Sequence, residues 1–280
     1  MKFKDYQLVD GKYDLLGDGT CIYDIVYKDE SKKNKLDLYL PSIKKKQYPL
    51  VIFIHGGGFL GSDKGRHLTG ILNCLQDGYA VASVNYRLND EAIYPAFVDD
   101  CVDAIRYLAT HDKYPIDKNK IVLWGETHGG VIASTIGIKY HTLEEYKLAG
   151  VISFYAPIDL YAYHKYQIDT NQVMEVNGRI IDEQSFGKQG EELLELLKTY
   201  DVLSQIDGSQ PPFYLLHGKK DTSVPIEYTY RFADILKEQN VSYVLDIVED
   251  GTHGIDFYAC EKYNTPIRLF IKKIFENDGE

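Results

Sequence analysis

The chain has 280 residues, 44% of them hydrophobic and 26% charged, which is ordinary for a protein long enough to bury one large core. Its 42 acidic residues outnumber its 31 basic residues, and the formal net charge of -11 leaves no basic stripe for a phosphate backbone. The first residues lack the apolar core of a secretion signal, and no apolar run approaches the ~18 residues that span a bilayer. We therefore expect a cytoplasmic protein without nucleic-acid or membrane partners.

The four cysteines, Cys21, Cys74, Cys101 and Cys260, lie far apart, and no two of them form a Cys-x-x-Cys pair. This spacing indicates neither a zinc site nor a disulfide framework. We expect reduced and mostly buried thiols, and no metal site.

The predicted strands come first in chain order. Residues 21–27 and 35–40 alternate polar and apolar side chains, which predicts an antiparallel pair at a sheet edge. From residue 50 onward, short β-rich runs alternate with helical segments, as in a parallel sheet wound with crossover helices. Several of these runs are almost continuously apolar, which is typical of strands covered by helices on both faces. The predicted strands in this part of the chain are residues 49–55, 79–86, 120–124, 150–155, 212–217 and 241–248.

Helices are predicted in the gaps between these strands, at residues 96–111, 226–239 and 266–275, each with one apolar stripe. Residues 160–210 interrupt the alternation, because they are polar and tyrosine-rich with a single clear helix at 191–197. A connection of that length is usually a lid or a binding insertion. The sequence thus predicts one α/β domain over residues 1–280, with a mostly parallel twisted sheet of about eight strands, helices on both faces and a cap at 160–210.

A glycine triplet follows the strand at 49–55, in the stretch His55-Gly56-Gly57-Gly58-Phe59. Successive glycines adopt backbone conformations barred to other residues and let N–H groups approach a ligand without intervening side chains. Such a loop can direct two amides toward a developing oxyanion. A glycine triplet after a strand is by itself a weak indication of function.

A second motif, Gly125-Glu126-Thr127-His128-Gly129-Gly130, follows the strand at 120–124. A strand, then Gly-x-nucleophile-x-Gly, then a helix forms a tight elbow that lifts the nucleophile into a cleft. The amide of His128 would point to the same place, and Glu126 would make structural hydrogen bonds beneath the elbow. A plain turn capped by Thr127 would explain one glycine, but hardly all three together with the preceding glycine loop.

An acid and a histidine follow the last two predicted strands. Asp221 lies in HGKKDTSVP after the strand at 212–217, and His253 lies in EDGTHG after the strand at 241–248. Neighbouring strand ends can bring such residues together as an orienting carboxylate and a general base. A lone histidine in a turn is more often structural, but the order Thr127, Asp221, His253 favours catalysis.

These motifs, in this order, resemble the α/β-hydrolase superfamily, and within it the HGGG-type esterases and lipases, which include hormone-sensitive-lipase-like and feruloyl-esterase-like enzymes. The resemblance covers roughly residues 20–275. It implies hydrolysis of a small-molecule carboxylic ester through an acyl-enzyme without metal or cofactor. The aromatic residues near the start of the segment 160–210 favour an aryl or acylated-sugar ester.

Carried onto this chain, the resemblance assigns oxyanion amides to Gly57, Gly58 and His128, the general base to His253, its orienting acid to Asp221, and the nucleophile position to Thr127. Substrate contacts are expected from Phe59 and, in the cap, from Tyr161 and His164. The family has serine where Thr127 stands and commonly a small residue where His128 stands. The imidazole of His128 could equally reach the cleft or be packed away from it.

A threonine at the elbow leaves three hypotheses open. The expected positive φ is costly for a β-branched residue, with strain of about 1–3 kcal/mol. The added methyl group also crowds a tetrahedral intermediate, and a displacement of ~1 Å can cost about a hundredfold in rate. The chain could be a slow or specialised esterase, a catalytically silent relative that binds an ester-like or acyl ligand, or an engineered Ser-to-Thr variant.

Overall fold

Most of the chain is organised around one mixed β-sheet. A computed structural model describes residues 6–9, 12–15, 17–173, 175–176, 179–254 and 258–276. The strands are β1 Tyr6–Val9, β2 Lys12–Leu15, β3 Thr20–Val26, β4 Lys35–Leu40, β5 Tyr48–Ile54, β6 Ala80–Val84, β7 Ile116–Glu126, β8 Leu148–Phe154, β9 Glu175–Val176, β10 Arg179–Ile180, β11 Phe213–Gly218 and β12 Tyr243–Val248. The helices are α1 Ala96–Thr110, α2 Thr127–Lys139, α3 Leu160–Asp169, α4 Ile181–Phe186, α5 Gly190–Thr199, α6 Glu227–Glu238 and α7 Glu261–Glu276, with 3-10 turns at Ile71–Asp77 and Leu203–Gln205.

The main sheet has eight strands in the order β12-β11-β8-β7-β5-β6-β4-β3. Strands β3 and β4 pair antiparallel at one edge, as predicted, and β4 also runs antiparallel to β6. The remaining neighbours are parallel. The carboxyl ends of β5, β7, β8, β11 and β12 therefore meet along one edge, where open parallel sheets bind their ligands.

Successive side chains of a strand point to opposite faces of the sheet, and both faces are buried under helices. On β5, Leu50, Ile52 and Ile54 pack with residues of α1, α2 and α6. Val51 and Phe53 pack on the opposite face with residues of α7 and of the Ile71–Asp77 turn. The helices on both faces explain why the central strands are almost continuously apolar.

Two helices differ from the sequence prediction. The last helix was predicted to begin at Pro266, where proline is usual, but α7 begins at Glu261. Its first turns are held by Asn264, whose amide donates to the carbonyl of Gly70 (3.1 Å) and whose oxygen accepts from Asn73 (3.2 Å). Helix α3 was not predicted, since tyrosines and polar residues give it no clear apolar stripe.

Residues 160–210, predicted as a cap, contain α3, the β9–β10 hairpin, α4, α5 and a 3-10 turn. Helix α3 begins after Asp159, whose carboxylate accepts from the amide of Ala162 at 3.0 Å in an N-cap. An ion pair between Asp159 and Arg231 ties the same point to α6. Within the described residues, no helix is both long enough and apolar enough to cross a membrane.

Candidate active site

The turn from β7 to α2 has the geometry expected of a nucleophile elbow. Glu126 is extended, and Thr127 has a φ of +46°, in the left-handed region that non-glycine residues rarely occupy. A Cβ on Gly125 would lie 2.1 Å from the carbonyl oxygen of Gly129, and a Cβ on Gly129 would lie 2.2 Å from that of Ile54. Because no larger residue fits, the two glycines permit the close approach of β5, β7 and α2.

The methyl group of Thr127 occupies space left by a glycine. A Cβ on Gly56 would lie 2.0 Å from the Cγ2 of Thr127, so the missing side chain of Gly56 makes room for the β-branch. The β-branch itself restricts χ1 of Thr127, and with it the positions open to the hydroxyl. The strain of the backbone remains, at about 1–3 kcal/mol.

The glycine loop after β5 turns back on itself beside the elbow. Ile54 pairs with Gly125 in the sheet, which brings the residues after β5 next to those after β7. Gly57 and Gly58 have φ values of +108° and +65°, and the Gly57 carbonyl accepts from the amide of Leu60 at 3.0 Å. A Cβ on Gly58 would meet nothing within 4 Å, so this part of the backbone faces open space.

The loop is supported from below by His55. The pKa of this buried imidazole is lowered by desolvation, which keeps the ring neutral. Its Nδ1 donates to the carbonyl of Gly56 (2.8 Å), while the Tyr86 hydroxyl donates to the His55 carbonyl (2.8 Å) and the two rings stack. These contacts hold the start of the glycine loop in one conformation.

The predicted acid and base are in direct contact. His253 Nδ1 lies 2.7 Å from Asp221 Oδ2; the Asp221 side chain is fully buried and that of His253 is 26% exposed. The other oxygen, Oδ1, accepts from the amides of Ser223 (2.8 Å) and Val224 (3.0 Å). Burial raises the pKa of Asp221, but hydrogen bonds from His217 and His253 outweigh it and hold the pKa below its usual 3.8.

Tyr155, which the sequence analysis did not single out, connects this pair with the elbow. It follows β8, which lies between β7 and β11. Its ring packs 4.5 Å from that of His253, and its hydroxyl donates to Glu126 Oε2 at 3.0 Å. An aromatic residue directly after a central strand, at the edge where the ligand was expected, was the signal available in the sequence.

Glu126 makes the structural hydrogen bonds predicted for it. The buried carboxylate accepts from Tyr155, lies 2.7 Å from His67 Nδ1, and is 3.4 Å from the amide of Gly56. It therefore joins the residue before Thr127 to the glycine loop and to the segment that follows this loop.

The His128 side chain is packed, which answers the question left open by the sequence. Its ring contacts Phe59 edge-on at 4.6 Å and lies 6.5 Å from Tyr163 of α3. Phe59, predicted to contact substrate, has no exposed surface and packs against Phe97, so it lies in the wall behind the cleft. The amide of His128 lies in the first turn of α2, directly after Thr127.

The two cap residues predicted to contact substrate, Tyr161 and His164, lie on α3. Tyr161 carries Lys198 of α5 over its ring and borders a cavity of about 280 Å³ that Arg231 also lines. His164 is almost fully buried. The ring contact from the cap to His128 comes instead from Tyr163, so substrate contact by Tyr161 and His164 stays a prediction.

The fold is that of an α/β-hydrolase. Its mostly parallel sheet carries a strand–threonine–helix elbow, a glycine loop and an acid–histidine pair at one edge. Solved structures share this fold. A truncated carbohydrate esterase from gut microbiota has a TM-score of 0.79 at 22% identity, with 91% of this chain and 96% of that chain covered. Esterase B from Lactobacillus rhamnosis has a TM-score of 0.74 at 18% identity, with 92% and 85% covered.

The family model BD-FAE matches residues 36–236, and the chain belongs to this family of α/β-hydrolase esterases. It is 28% identical over 269 residues to a probable isoprenylcysteine alpha-carbonyl methylesterase of Arabidopsis thaliana, covering 90% of this chain and 54% of the relative. A probable rice (Oryza sativa subsp. japonica) methylesterase of the same description is 27% identical, with 82% and 57% covered. The chain thus spans just over half the length of these relatives.

Proposed function

We propose that the protein hydrolyses carboxylic esters, with Thr127 as nucleophile, His253 as general base and Asp221 as the acid that orients the base. The observation that carries this proposal is the 2.7 Å contact between His253 Nδ1 and a buried Asp221 carboxylate, at the same sheet edge as the elbow. Membership of an esterase family and the positive φ of Thr127 support it.

The hydrogen bonds of the pair determine which nitrogen of His253 can act as a base. The depressed pKa of Asp221 keeps its carboxylate ionised, so Oδ2 can only accept a hydrogen bond. His253 Nδ1 must therefore carry the proton that it donates to Oδ2. The neutral ring then has its lone pair on Nε2, which is the state that a general base requires.

In the first half of the reaction, the Thr127 hydroxyl oxygen attacks the ester carbonyl while its proton passes to His253 Nε2. The carbonyl π electrons move to the oxygen, which the amides of Gly57, Gly58 and His128 stabilise by hydrogen bonds. The tetrahedral intermediate then collapses, the bond to the alcohol breaks, and His253 returns the proton to the leaving oxygen. An ester between the acid and Thr127 remains.

In the second half, water replaces the alcohol. His253 Nε2 takes one proton of the water as its oxygen attacks the acyl carbonyl, and the same amides hold the second oxyanion. Breaking the bond to Thr127 releases the carboxylic acid, and the proton on His253 restores the threonine hydroxyl. The cycle uses one water and leaves the protein unchanged.

The side chains beside the oxyanion amides favour a short acyl group. The rings of Phe59 and His128 belong to residues adjacent to those amides and touch each other, and Tyr163 of the cap continues the wall. An acyl chain whose carbonyl oxygen is bound there would meet the ring of His128, which Phe59 supports from behind, within a few atoms. The methylesterase and carbohydrate-esterase descriptions of similar proteins are in keeping with small ester groups.

A second candidate is a protein that binds an ester-like or acyl ligand without turnover. It is favoured by the threonine itself, whose strained backbone and fixed methyl group limit how the hydroxyl can approach a carbonyl. Both candidates use the same cleft, so only a measurement of turnover separates them.

The test is hydrolysis of p-nitrophenyl acetate by the wild type and by Thr127→Ser, Thr127→Ala and His253→Ala, with His141→Ala at the far end of the sheet as control. We expect Thr127→Ser to be up to about a hundredfold faster, because serine lacks the methyl group. His253→Ala should lose about 10²–10⁴-fold, and Thr127→Ala should be inactive. If neither the wild type nor Thr127→Ser exceeds the background rate, the non-catalytic candidate replaces this proposal.

A further inference from the structure

A second histidine, His217, also contacts the acid of the site. It is the penultimate residue of β11, its side chain is fully buried, and its Nε2 is 3.3 Å from Asp221 Oδ2. The same oxygen also receives the hydrogen bond from His253. One carboxylate oxygen is therefore shared by two imidazole rings.

The surroundings of His217 determine where its proton lies. Nε2 faces the carbonyl of Val224 at 3.0 Å and the carboxylate of Asp221, and both groups only accept hydrogen bonds. Nε2 must therefore carry a proton whatever the charge of the ring. Nδ1 lies 2.7 Å from the hydroxyl of Thr229 on α6, which can donate to it when the ring is neutral.

We propose that His217 is a positioning residue for Asp221, held in orientation by Thr229, and that its Nε2–H sets how strongly Asp221 attracts the protonated form of His253. This inference rests on the proposed function, in which His253 is the base. His217 touches neither the substrate nor the reacting atoms in this mechanism, so its effect passes entirely through the carboxylate.

Both oxygens of the Asp221 carboxylate accept hydrogen bonds from several donors. Its Oδ1 accepts from two backbone amides, and its Oδ2 accepts from His253 and shares the Nε2–H of His217 with the Val224 carbonyl, so each donor takes part of the negative charge. A buried carboxylate that loses one donor binds the remaining donors more tightly. Without the His217 proton, Asp221 would stabilise imidazolium at His253 more strongly, and the base would stay protonated to higher pH.

Other groups near the carboxylate do not replace this donor. Among the residues that the structure describes, the titratable neighbours of Asp221 from adjacent elements include Tyr155 at the end of β8 and Tyr258 after β12. The Tyr155 hydroxyl donates to Glu126, and the Tyr258 hydroxyl donates to the carbonyl of Thr252 at 2.7 Å. Burial raises the pKa of both phenols, so they stay neutral across the pH range of the test.

The test compares His217→Leu, which removes the donor, with His217→Gln, whose amide nitrogen can replace Nε2–H. His141→Leu serves as a matched remote histidine. In the Thr127→Ser background, the acid limb of the kcat/KM profile should move up by about one pH unit in His217→Leu, the size of one lost hydrogen bond to a charged group. It should return toward the parent value in His217→Gln and stay unchanged in His141→Leu.

A second readout does not depend on turnover. The proton on His253 Nδ1 should give a low-field NMR signal that disappears in His253→Ala, moves in His217→Leu and is restored in His217→Gln. If His217→Leu does not fold, Thr229→Val takes its place with Thr229→Ser as control, and only the valine variant should move the signal. A folded His217→Leu or Thr229→Val protein with an unmoved signal would overturn the inference, even if the enzyme proved inactive.

Discussion

Replacing Asp221 by asparagine should silence the site while leaving its shape almost intact. The carbonyl oxygen of asparagine can still accept from the amides of Ser223 and Val224, as Oδ1 does now. The NH₂ group then lies where Oδ2 was, facing the Nδ1 of His253. Because NH₂ can only donate, the imidazole must move its proton to Nε2, and the nitrogen needed as base is blocked.

The move of the His253 proton from Nδ1 to Nε2 determines how much activity is lost. In serine-hydrolase triads, an Asp-to-Asn exchange that imposes the wrong tautomer lowers kcat by about 10⁴-fold. We expect the same order for Asp221→Asn. The exchange also removes a charged acceptor from two imidazoles, and each such hydrogen bond contributes about 1.5–3 kcal/mol. The free energy of unfolding at neutral pH should fall by an amount of that order.

The pH dependence of the free energy of unfolding tests the charge of Asp221 independently of activity. The folded-state pKa of Asp221 lies below the usual 3.8, so its contribution is fully present above about pH 4 and is lost as the pH falls toward the folded pKa. The gap in stability between the wild type and Asp221→Asn should therefore be largest near neutrality and should shrink below pH 4. Urea unfolding at a series of pH values measures it.

Asp246→Asn is the matched control, because Asp246 also accepts a short hydrogen bond, from Tyr214 at 2.6 Å, but lies within β12 away from the elbow. It should leave kcat/KM for p-nitrophenyl acetate within a few-fold of the wild type. If Asp221→Asn keeps more than about a tenth of the wild-type rate, Asp221 does not set the tautomer of His253.

Two further substitutions test the elbow and the wall beside it. Gly129→Ala places a Cβ 2.2 Å from the Ile54 carbonyl oxygen, so we expect overpacking to lower the free energy of unfolding by about 1–3 kcal/mol, measured by thermal unfolding. In the control Gly61→Ala, the new Cβ meets nothing within 4 Å, and the loss of stability should be far smaller. Equal losses in the two variants would contradict the packing argument. His128→Ala removes the ring that packs on Phe59 and should raise the butyrate-to-acetate ratio of kcat/KM for p-nitrophenyl esters several-fold, whereas an unchanged ratio would mean that the wall does not limit the acyl group.

Much of this fold could be predicted from local patterns, because burial on both faces gives parallel strands an apolar sequence. The strand at 35–40 matches at both ends, and α1 ends one residue before its predicted end. Strand β7 is longer than predicted because it begins at Ile116, which pairs with Tyr48 of β5, and four polar residues separate Ile116 from the apolar run. Helix α3 depends on a cap and on tertiary packing, so periodicity missed it.

Some residues of the candidate site could be predicted from the sequence, and others required the structure. Thr127, Asp221 and His253 each follow a strand, in an order that the sequence displays, and the acid–base contact is present in the structure. Tyr155 contacts Glu126 of β7 and His253 after β12, so its role depends on a sheet order that is not the chain order. His217 lies four residues before Asp221, and its contact with the carboxylate depends on the turn between them. The direction of the His128 side chain also required the structure, since a residue on the first turn of a helix can face either way.

The central claim is that the Thr127 oxygen is a nucleophile activated by His253. The most direct measurement is peptide mass spectrometry after treatment with a p-nitrophenyl phosphonate, which forms a stable bond to an activated hydroxyl. The account predicts one phosphonate on the peptide that carries Thr127, the same label formed faster in Thr127→Ser, and none in His253→Ala. A wild-type protein and a Thr127→Ser variant that both stay unlabelled, or a label elsewhere in the chain, would contradict it.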